Sequence, residues 1–207
     1  MTASPHPTLA EDLLLLGLDP DRSRRLVQAR HLSWGVAGAA LAELALRGAV
    51  EERGGRVVVV NPLPVGQPLL DAALAELSVG KKGGDRPKAW VRGHAEWLEN
   101  LALDGLVGRG VVDVEERRVL GVFPSTRLHV QDPAAHAAVL AAFHSGSRPG
   151  AGRRAAVLAA LASAVELPRR LGVPWRTRRE LAGLARTQWP ALAVHRLVAA
   201  DNASAAG

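Results

Sequence analysis

Length, composition and charge exclude several classes of protein before any motif is considered. The chain has 207 residues, of which 48% are hydrophobic and 22% charged, enough for one domain with a sizeable core. It contains no cysteine, which excludes disulfide scaffolds, thiolate metal sites and cysteine nucleophiles. No apolar run approaches the roughly 20 residues of a membrane-spanning helix, and acidic Glu11 and Asp12 stand where a secretory signal would be basic. We therefore expect a soluble, cytoplasmic protein.

The N-terminal part of the sequence predicts a leader followed by a buried helix. Residues 1–7 are rich in proline and small polar residues, and we expect them to be disordered. Thr8 and Glu11 then match a capping box, in which each side chain bonds to the backbone N–H of the other residue. The helix that follows is apolar on every face through residues 13–16, so it should lie inside the core.

Glycine and proline residues divide the rest of the chain into further helices and two β-hairpins. A second helix is expected from an N-cap at Ser33 to Gly48, and the hairpins should turn at residues 53–55 and 115–118. The other helices are predicted at residues 69–77, 87–110 with a break near Gly93, 133–143, 153–167, 177–186 and 190–200, before a frayed tail at 201–207. The elements predict a mainly α, compact single-domain helical bundle over residues 8–200 with one or two small β-hairpins. Its core should include Trp34, Trp90 and Trp97.

Motifs for catalysis or metal binding are missing from the sequence. It has no metalloprotease, nucleophile-elbow, P-loop or dinucleotide-binding pattern. His94-Ala95-Glu96 matches half of a zinc-deaminase motif, but the cysteines of that motif are absent. We therefore expect no catalytic residue, no metal site and no cofactor.

Basic residues are concentrated in the C-terminal third. Residues 145–207 carry ten basic and three acidic residues, whereas residues 1–144 carry 16 basic and 17 acidic ones. One-sided charge of this kind is typical of a protein with an anionic partner such as a lipid surface, a nucleic acid or an acidic peptide. The alternative is that arginine serves only as a solvated surface cation.

Two segments of this basic region are candidate anion sites. Trp175 lies in a predicted break near Arg169, Arg170, Arg178 and Arg179, and an indole among guanidinium groups can rest at a membrane interface. The alternative is that Trp175 caps the core. The glycine-rich stretch 145–154 opens a helix and carries three arginines, which suits a phosphate, although a flexible connector has the same composition.

Four segments resemble, in order, signatures of the Golgi phosphoprotein 3 family, which has many bacterial members. They are TLAEDLLLLGL at residues 8–18, AELALRG at 42–48, PVGQPLLDAAL at 64–74 and LVGRGVV at 106–112. The resemblance extends from Thr8 to Ala200. It implies a mainly helical domain, a peripheral membrane role, and a hairpin near Val119 to Val130 used in self-association. Eukaryotic members bind phosphatidylinositol 4-phosphate and retain glycosyltransferases by their cytosolic tails, which implies client protein tails as partners.

The head-group positions of the family fall on residues of different chemistry in this chain. They fall at Gln28, Ala37, Glu96 and Glu99, and two carboxylates would repel a phosphate. Nearby arginines are the candidates to substitute for them. The resulting candidate lipid-binding set is Arg24, Arg25, Arg30, Arg92, Arg169, Arg170, Trp175, Arg178 and Arg179.

Three functions are compatible with these features. The favoured one is a non-enzymatic peripheral membrane or adaptor protein that binds anionic, phosphoinositide-like lipid through an arginine-rich surface. The alternative is a winged-helix-like nucleic-acid-binding protein, suggested by the helix–glycine–strand joints at residues 44–50 and 106–112. Against it, both hairpin turns carry mixed charge where a wing that contacts phosphates should be basic. A third is an assembly protein whose partner is another copy of itself.

Overall fold

Helices dominate the computed structural model, which describes residues 6–80, 84–119, 123–148 and 150–206. The helices are α1 (Leu9–Leu16), α2 (Ala29–Leu46), α3 (Pro68–Val79), α4 (Pro87–Gly108), α5 (Pro133–Gly146), α6 (Arg153–Ala164), α7 (Leu167–Arg170), α8 (Trp175–Thr187) and α9 (Trp189–Ala205). Antiparallel strand pairs within the described residues are β1 (Leu18–Asp19) with β2 (Arg24–Arg25), β3 (Val50–Arg53) with β4 (Arg56–Val59), and β5 (Val112–Val119) with β6 (Phe123–Val130). The prediction of a mainly α, compact bundle with small hairpins is confirmed.

Helix α1 lies at the centre of the bundle, as its apolar sequence predicts. All of its residues are buried, and it contacts α2, α4, α5 and α6. The predicted capping box is present: the backbone N–H of Thr8 donates to the Glu11 carboxylate over 2.6 Å, and the N–H of Glu11 donates to Thr8 Oγ1 over 3.3 Å. The apolar run after the cap therefore enters the core with its first backbone donors satisfied.

Small residues let the helices around α2 approach closely. A Cβ atom on Gly35 would lie 2.7 Å from Val165 Cγ1, and one on Gly38 would collide with Val194.

The predicted N-cap at Ser33 is wrong, because helix α2 begins a turn earlier, at Ala29. The Ser33 Oγ instead lies 2.9 Å from the carbonyl oxygen of Ala29 and also contacts the Glu99 carboxylate, so its one proton is shared between two acceptors.

The predicted limits of the last helices are also corrected. Helix α6 ends at Ala164, and Glu166 has a φ of 65°, which a continuing helix does not allow. Helix α9 does not end at Ala200 but continues to Ala205, where the frayed tail was expected. Its last turns are held because Asn202 donates to the Glu166 carboxylate over 3.1 Å.

Other predictions fall partly outside the described residues. Residues 1–5 of the expected leader and residue 207 of the expected tail are among these. The turn of the second hairpin, expected at residues 115–118, is wrongly placed, because 115–118 are strand residues paired with 124–127. Among the hairpin residues whose burial is described, 112–115 and 126–130, Val112 and Leu128 are the buried ones.

Helix α4 shows why one predicted core tryptophan is exposed. The helix is continuous through Gly93, without the expected break, and Trp90 is 2% exposed. Its buried residues follow the helical repeat, and Trp97 lies off that stripe with 38% exposure. Trp34 is buried in α2 as predicted. The assignment of Trp97 to the core is therefore wrong.

Candidate functional site

Helices α7 and α8 carry a row of exposed cations. We define the α7–α8 surface by its exposed residues Arg169, Arg170, Trp175, Arg176, Arg179 and Arg186. Across the described ranges, none of these arginines forms an ion pair. Their positive charge is therefore available to an external anion.

The helical repeat places the α8 cations on one side of the helix. Arg176, Arg179 and Arg186 are three and seven residues apart, so they project from one face. Leu181 and Ala185 are buried on the opposite face. Arg178, a predicted site residue, lies towards the buried side and is only partly exposed. Arg176 and Arg186 were missing from the predicted set, although this spacing could have identified them.

Trp175 begins α8 at the edge of this surface. Its side chain is 60% exposed, so the alternative that it caps the core is wrong. The Arg176 guanidinium lies 5.6 Å from the centroid of the indole ring. This arrangement places an aromatic ring and a cation together in solvent, as at a membrane interface.

Three of the predicted cations near the start of α2 are already paired. Arg24 contacts Asp19 at 3.2 Å, and Arg25 contacts Glu99 at 2.8 Å. Arg30 contacts Asp201 at 3.0 Å. These arginines therefore contribute less charge to an external anion than their number suggests. Arg92 is exposed and lacks an ion pair within the residues that the structure describes.

Contacts of α9 bring the start of α2 close to the start of α7. The Asp201 carboxylate bonds both to Arg30 and, over 2.9 Å, to His31 Nε2. The next residue, Asn202, donates to Glu166, which immediately precedes α7. The start of α2 and the start of α7 therefore lie near each other, whereas Thr187, next to Arg186 in α8, lines a cavity with Leu46 and Arg153 near the opposite end of α2.

The positions that correspond to the head-group site of the family do not form a phosphate pocket here. Ala37 is 0% exposed, so no ligand can reach it. The Glu99 carboxylate accepts from Arg25 and from the Ser33 hydroxyl, and the Glu96 carboxylate is exposed. Gln28 is exposed at the N-cap of α2. The favourable positive charge therefore lies on the α7–α8 surface rather than at these positions.

One arginine of the glycine-rich stretch, Arg154, forms an ionic cluster with the buried residues Asp12 and Glu43. Arg154 donates to Asp12 over 2.7 Å and to Glu43 over 3.0 Å. Burial raises the pKa of Asp12 to about 6, although the neighbouring Arg154 acts in the opposite direction. Arg154 is therefore a structural cation, whereas Arg153 beside it is exposed.

Two searches for other sites gave no candidate in the described residues. There, no group of three or more His, Asp or Glu side chains could hold a metal ion. Among the helices of the same residues, none combines the length and the apolar character needed to cross a membrane.

The comparison with known proteins agrees with the signatures in the sequence. The model of the family described as Golgi phosphoprotein 3 (GPP34) matches residues 9–200, nearly the whole chain. No curated protein matches the chain.

Proposed function

The chain belongs to the Golgi phosphoprotein 3 family, and we propose that it is a non-enzymatic, cytoplasmic peripheral membrane protein. In this proposal it acts as an adaptor that binds anionic lipid head groups, phosphoinositides among them. The observation that carries the proposal is the α7–α8 surface, on which unpaired arginines surround an exposed tryptophan.

The energetics of this surface suit reversible membrane binding. Each arginine close to an anionic leaflet contributes about 1 kcal/mol, so several acting together give useful affinity without permanent insertion. These side chains give up no internal carboxylate when they meet lipid phosphates, so the cost of breaking an ion pair is avoided. Trp175 adds an amphipathic ring that favours the head-group region.

The shape of the surface supports recognition by charge more than by fit. The arginines line exposed helix faces, and the head-group positions of the family hold a buried alanine, two glutamates and an uncharged glutamine here. We therefore expect vesicles with phosphatidylinositol 4-phosphate to bind more tightly than vesicles with the same fraction of phosphatidylserine, since the former head group carries more negative charge. At equal surface charge the two affinities should converge.

Vesicle flotation with charge-reversed variants tests the proposal. We expect the double variant R176E/R179E to lose at least tenfold in affinity for anionic vesicles at low salt, because two attractive charges become repulsive. Binding by the unchanged chain should weaken steeply as salt rises. Equal binding by R176E/R179E and the unchanged chain would contradict the assignment.

A matched control reverses two cations that lie near the β3–β4 hairpin, outside the α7–α8 surface. Arg86 and Lys88 are exposed and lack ion pairs among the described residues. They follow Asp85, whose carbonyl accepts from Val57 in β4, beyond the C-terminal end of α2. R86E/K88E changes net charge as much as R176E/R179E does, and it should retain vesicle binding. If it loses binding equally, total charge and not the α7–α8 surface determines affinity.

The family resemblance adds two kinds of partner to the proposal, namely another copy of the chain and client protein tails. Self-association would use the hairpin near Val119 to Val130, and client tails would be held at the membrane. Sedimentation of the purified chain tests self-association.

A mobility-shift titration with DNA tests the nucleic-acid alternative. Steep salt-dependent DNA binding, together with no binding to anionic vesicles, would favour that alternative.

A further inference from the structure

A second cationic region lies where the end of α2 meets the start of α6. A cavity of about 360 Å³ is lined there by Glu43, Leu46, Arg47, Arg153 and Arg154. Three guanidinium groups therefore converge on one depression. Its volume is within the usual range of small-molecule sites.

Two of the three arginines are held in fixed orientations. Arg47 donates to the buried Glu43 carboxylate over 2.8 Å and to the carbonyl of Val65 over 3.1 Å. Arg154 donates to Glu43 over 3.0 Å and to Asp12 over 2.7 Å. Because these guanidiniums are already ordered, little side-chain entropy would be lost when an anion binds to them.

The third arginine has no carboxylate partner. Arg153 is exposed and forms no ion pair with any residue that the structure describes. Glu51 and Glu52 line an adjoining depression, but both are engaged elsewhere. The Glu51 carboxylate bonds to Arg53 over 2.8 Å, and that of Glu52 accepts from the N–H of Gly55 over 2.6 Å. Arg153 therefore remains available to a ligand.

The charge and the geometry of the cavity select the class of ligand. Among the residues that line the cavity itself, three arginines stand against the single carboxylate of Glu43. Planar guanidinium groups match the oxygens of a phosphate in pairs. The space exceeds that of a bare phosphate, and Leu46 supplies an apolar wall. We propose that this arginine-lined cavity binds the phosphate group of a small phosphorylated molecule.

This site uses other residues than the surface proposed to bind lipid, although it lies near the last residue of that surface, Arg186. Arg30 and Arg47 stand at opposite ends of α2, about 25 Å apart at the rise of an α-helix. The start of α7 lies near the Arg30 end, whereas Arg47 lines the cavity and Thr187 of α8 lines the depression beside it. The inference therefore goes beyond the proposed membrane role, and either one can fail without the other.

Calorimetric titration of the full chain with pyrophosphate, at constant ionic strength, tests the cavity. We expect saturable binding, and we expect R153A to weaken it at least tenfold, because the unpaired guanidinium is removed. R153A breaks no internal ion pair, so the variant should fold, and circular dichroism checks that it does. The matched control R196A removes an exposed, unpaired arginine of α9 outside the cavity and should bind as the unchanged chain does.

Three outcomes would overturn the proposal. The first is a heat of mixing that never saturates at constant ionic strength. The second is equal pyrophosphate affinity of R153A and the unchanged chain. The third identifies a lipid source for the phosphate: R153A would then reduce flotation with phosphatidylinositol 4-phosphate vesicles as strongly as R176E/R179E does. Unchanged flotation of R153A, together with its loss of pyrophosphate binding, supports a soluble ligand.

Discussion

Asp12 carries a carboxyl group that is buried in the fold, where ionisation is unfavourable. It lies on central helix α1, and burial raises its pKa from 3.8 to about 6 even though Arg154 bonds to it. The folded state therefore holds the proton at pH values where the unfolded chain has released it. The free energy of unfolding therefore decreases as the pH rises from the pKa of Asp12 in the unfolded chain to its pKa in the folded chain. Above the folded pKa the whole of this decrease is present.

The free energy of unfolding should record this cost. Between about pH 4 and pH 7 we expect the unchanged chain to lose about 3 kcal/mol relative to Asp12→Asn, which cannot ionise. Urea titrations of both proteins across this range measure the difference. The same substitution at exposed Asp21 controls for the change of residue type. A difference that stays constant with pH would show that burial does not disfavour the charged form of Asp12.

At the scale of elements, the close contact between α5 and α6 depends on a glycine, Gly146, which has no side chain. A Cβ atom on Gly146 would collide with the backbone carbonyl of Ala155. A backbone atom cannot rotate away as a flexible side chain can, so the two helices would have to separate. Gly183 in α8 is the opposite case, because a Cβ there meets no atom within 4 Å.

Alanine substitutions at these two glycines should change stability in opposite directions. We expect Gly146→Ala to cost about 3 kcal/mol through overpacking. We expect Gly183→Ala to stabilise the chain by about 1 kcal/mol, because alanine is the better helix former. Thermal and urea unfolding of the two variants measure both effects. A neutral Gly146→Ala would mean that α5 and α6 pack less closely than the structure has them.

Local sequence signals predicted the elements well, and tertiary contacts explain the errors. The capping box of Thr8 and Glu11 lies within four residues, so the pattern alone identifies it. The start of α2 was misplaced because Ser33 bonds forward to Glu99 on another helix, a partner that no local pattern reveals. The end of α9 was missed for a similar reason, since Asp201 and Asn202 are held by α2 and by the residue before α7.

The candidate site was predicted in part for the same physical reason. A cluster of arginines is visible in the sequence, but whether each is free depends on where the carboxylates fold. Arg25 and Arg30 are paired with residues 74 and 171 positions away. Arg176 and Arg186 form no ion pair with the described residues, although exposed Glu180 follows Arg176 by one helical turn, so sequence spacing alone does not show which cations are paired.

For the whole molecule, the two cationic regions predict two independent binding functions. We expect R153A to lose pyrophosphate binding and keep vesicle binding, and R176E/R179E to do the reverse. Because Arg153 shares no ion-pair partner with Arg176 or Arg179 among the described residues, the substitutions should add in the combined variant. Titrations of the three variants with each ligand, at one ionic strength, measure the coupling. Strong coupling between the two losses would contradict separate sites.

The central place of α1 has a consequence for synthesis of the chain on the ribosome. Asp12 finds its partner Arg154 only 142 residues later. At ordinary translation rates the apolar first helix therefore waits on the order of ten seconds before α6 can cover it. During that interval the nascent chain exposes the apolar helix α1, which favours aggregation. The yield of folded protein should therefore depend strongly on chaperone capacity and on growth temperature.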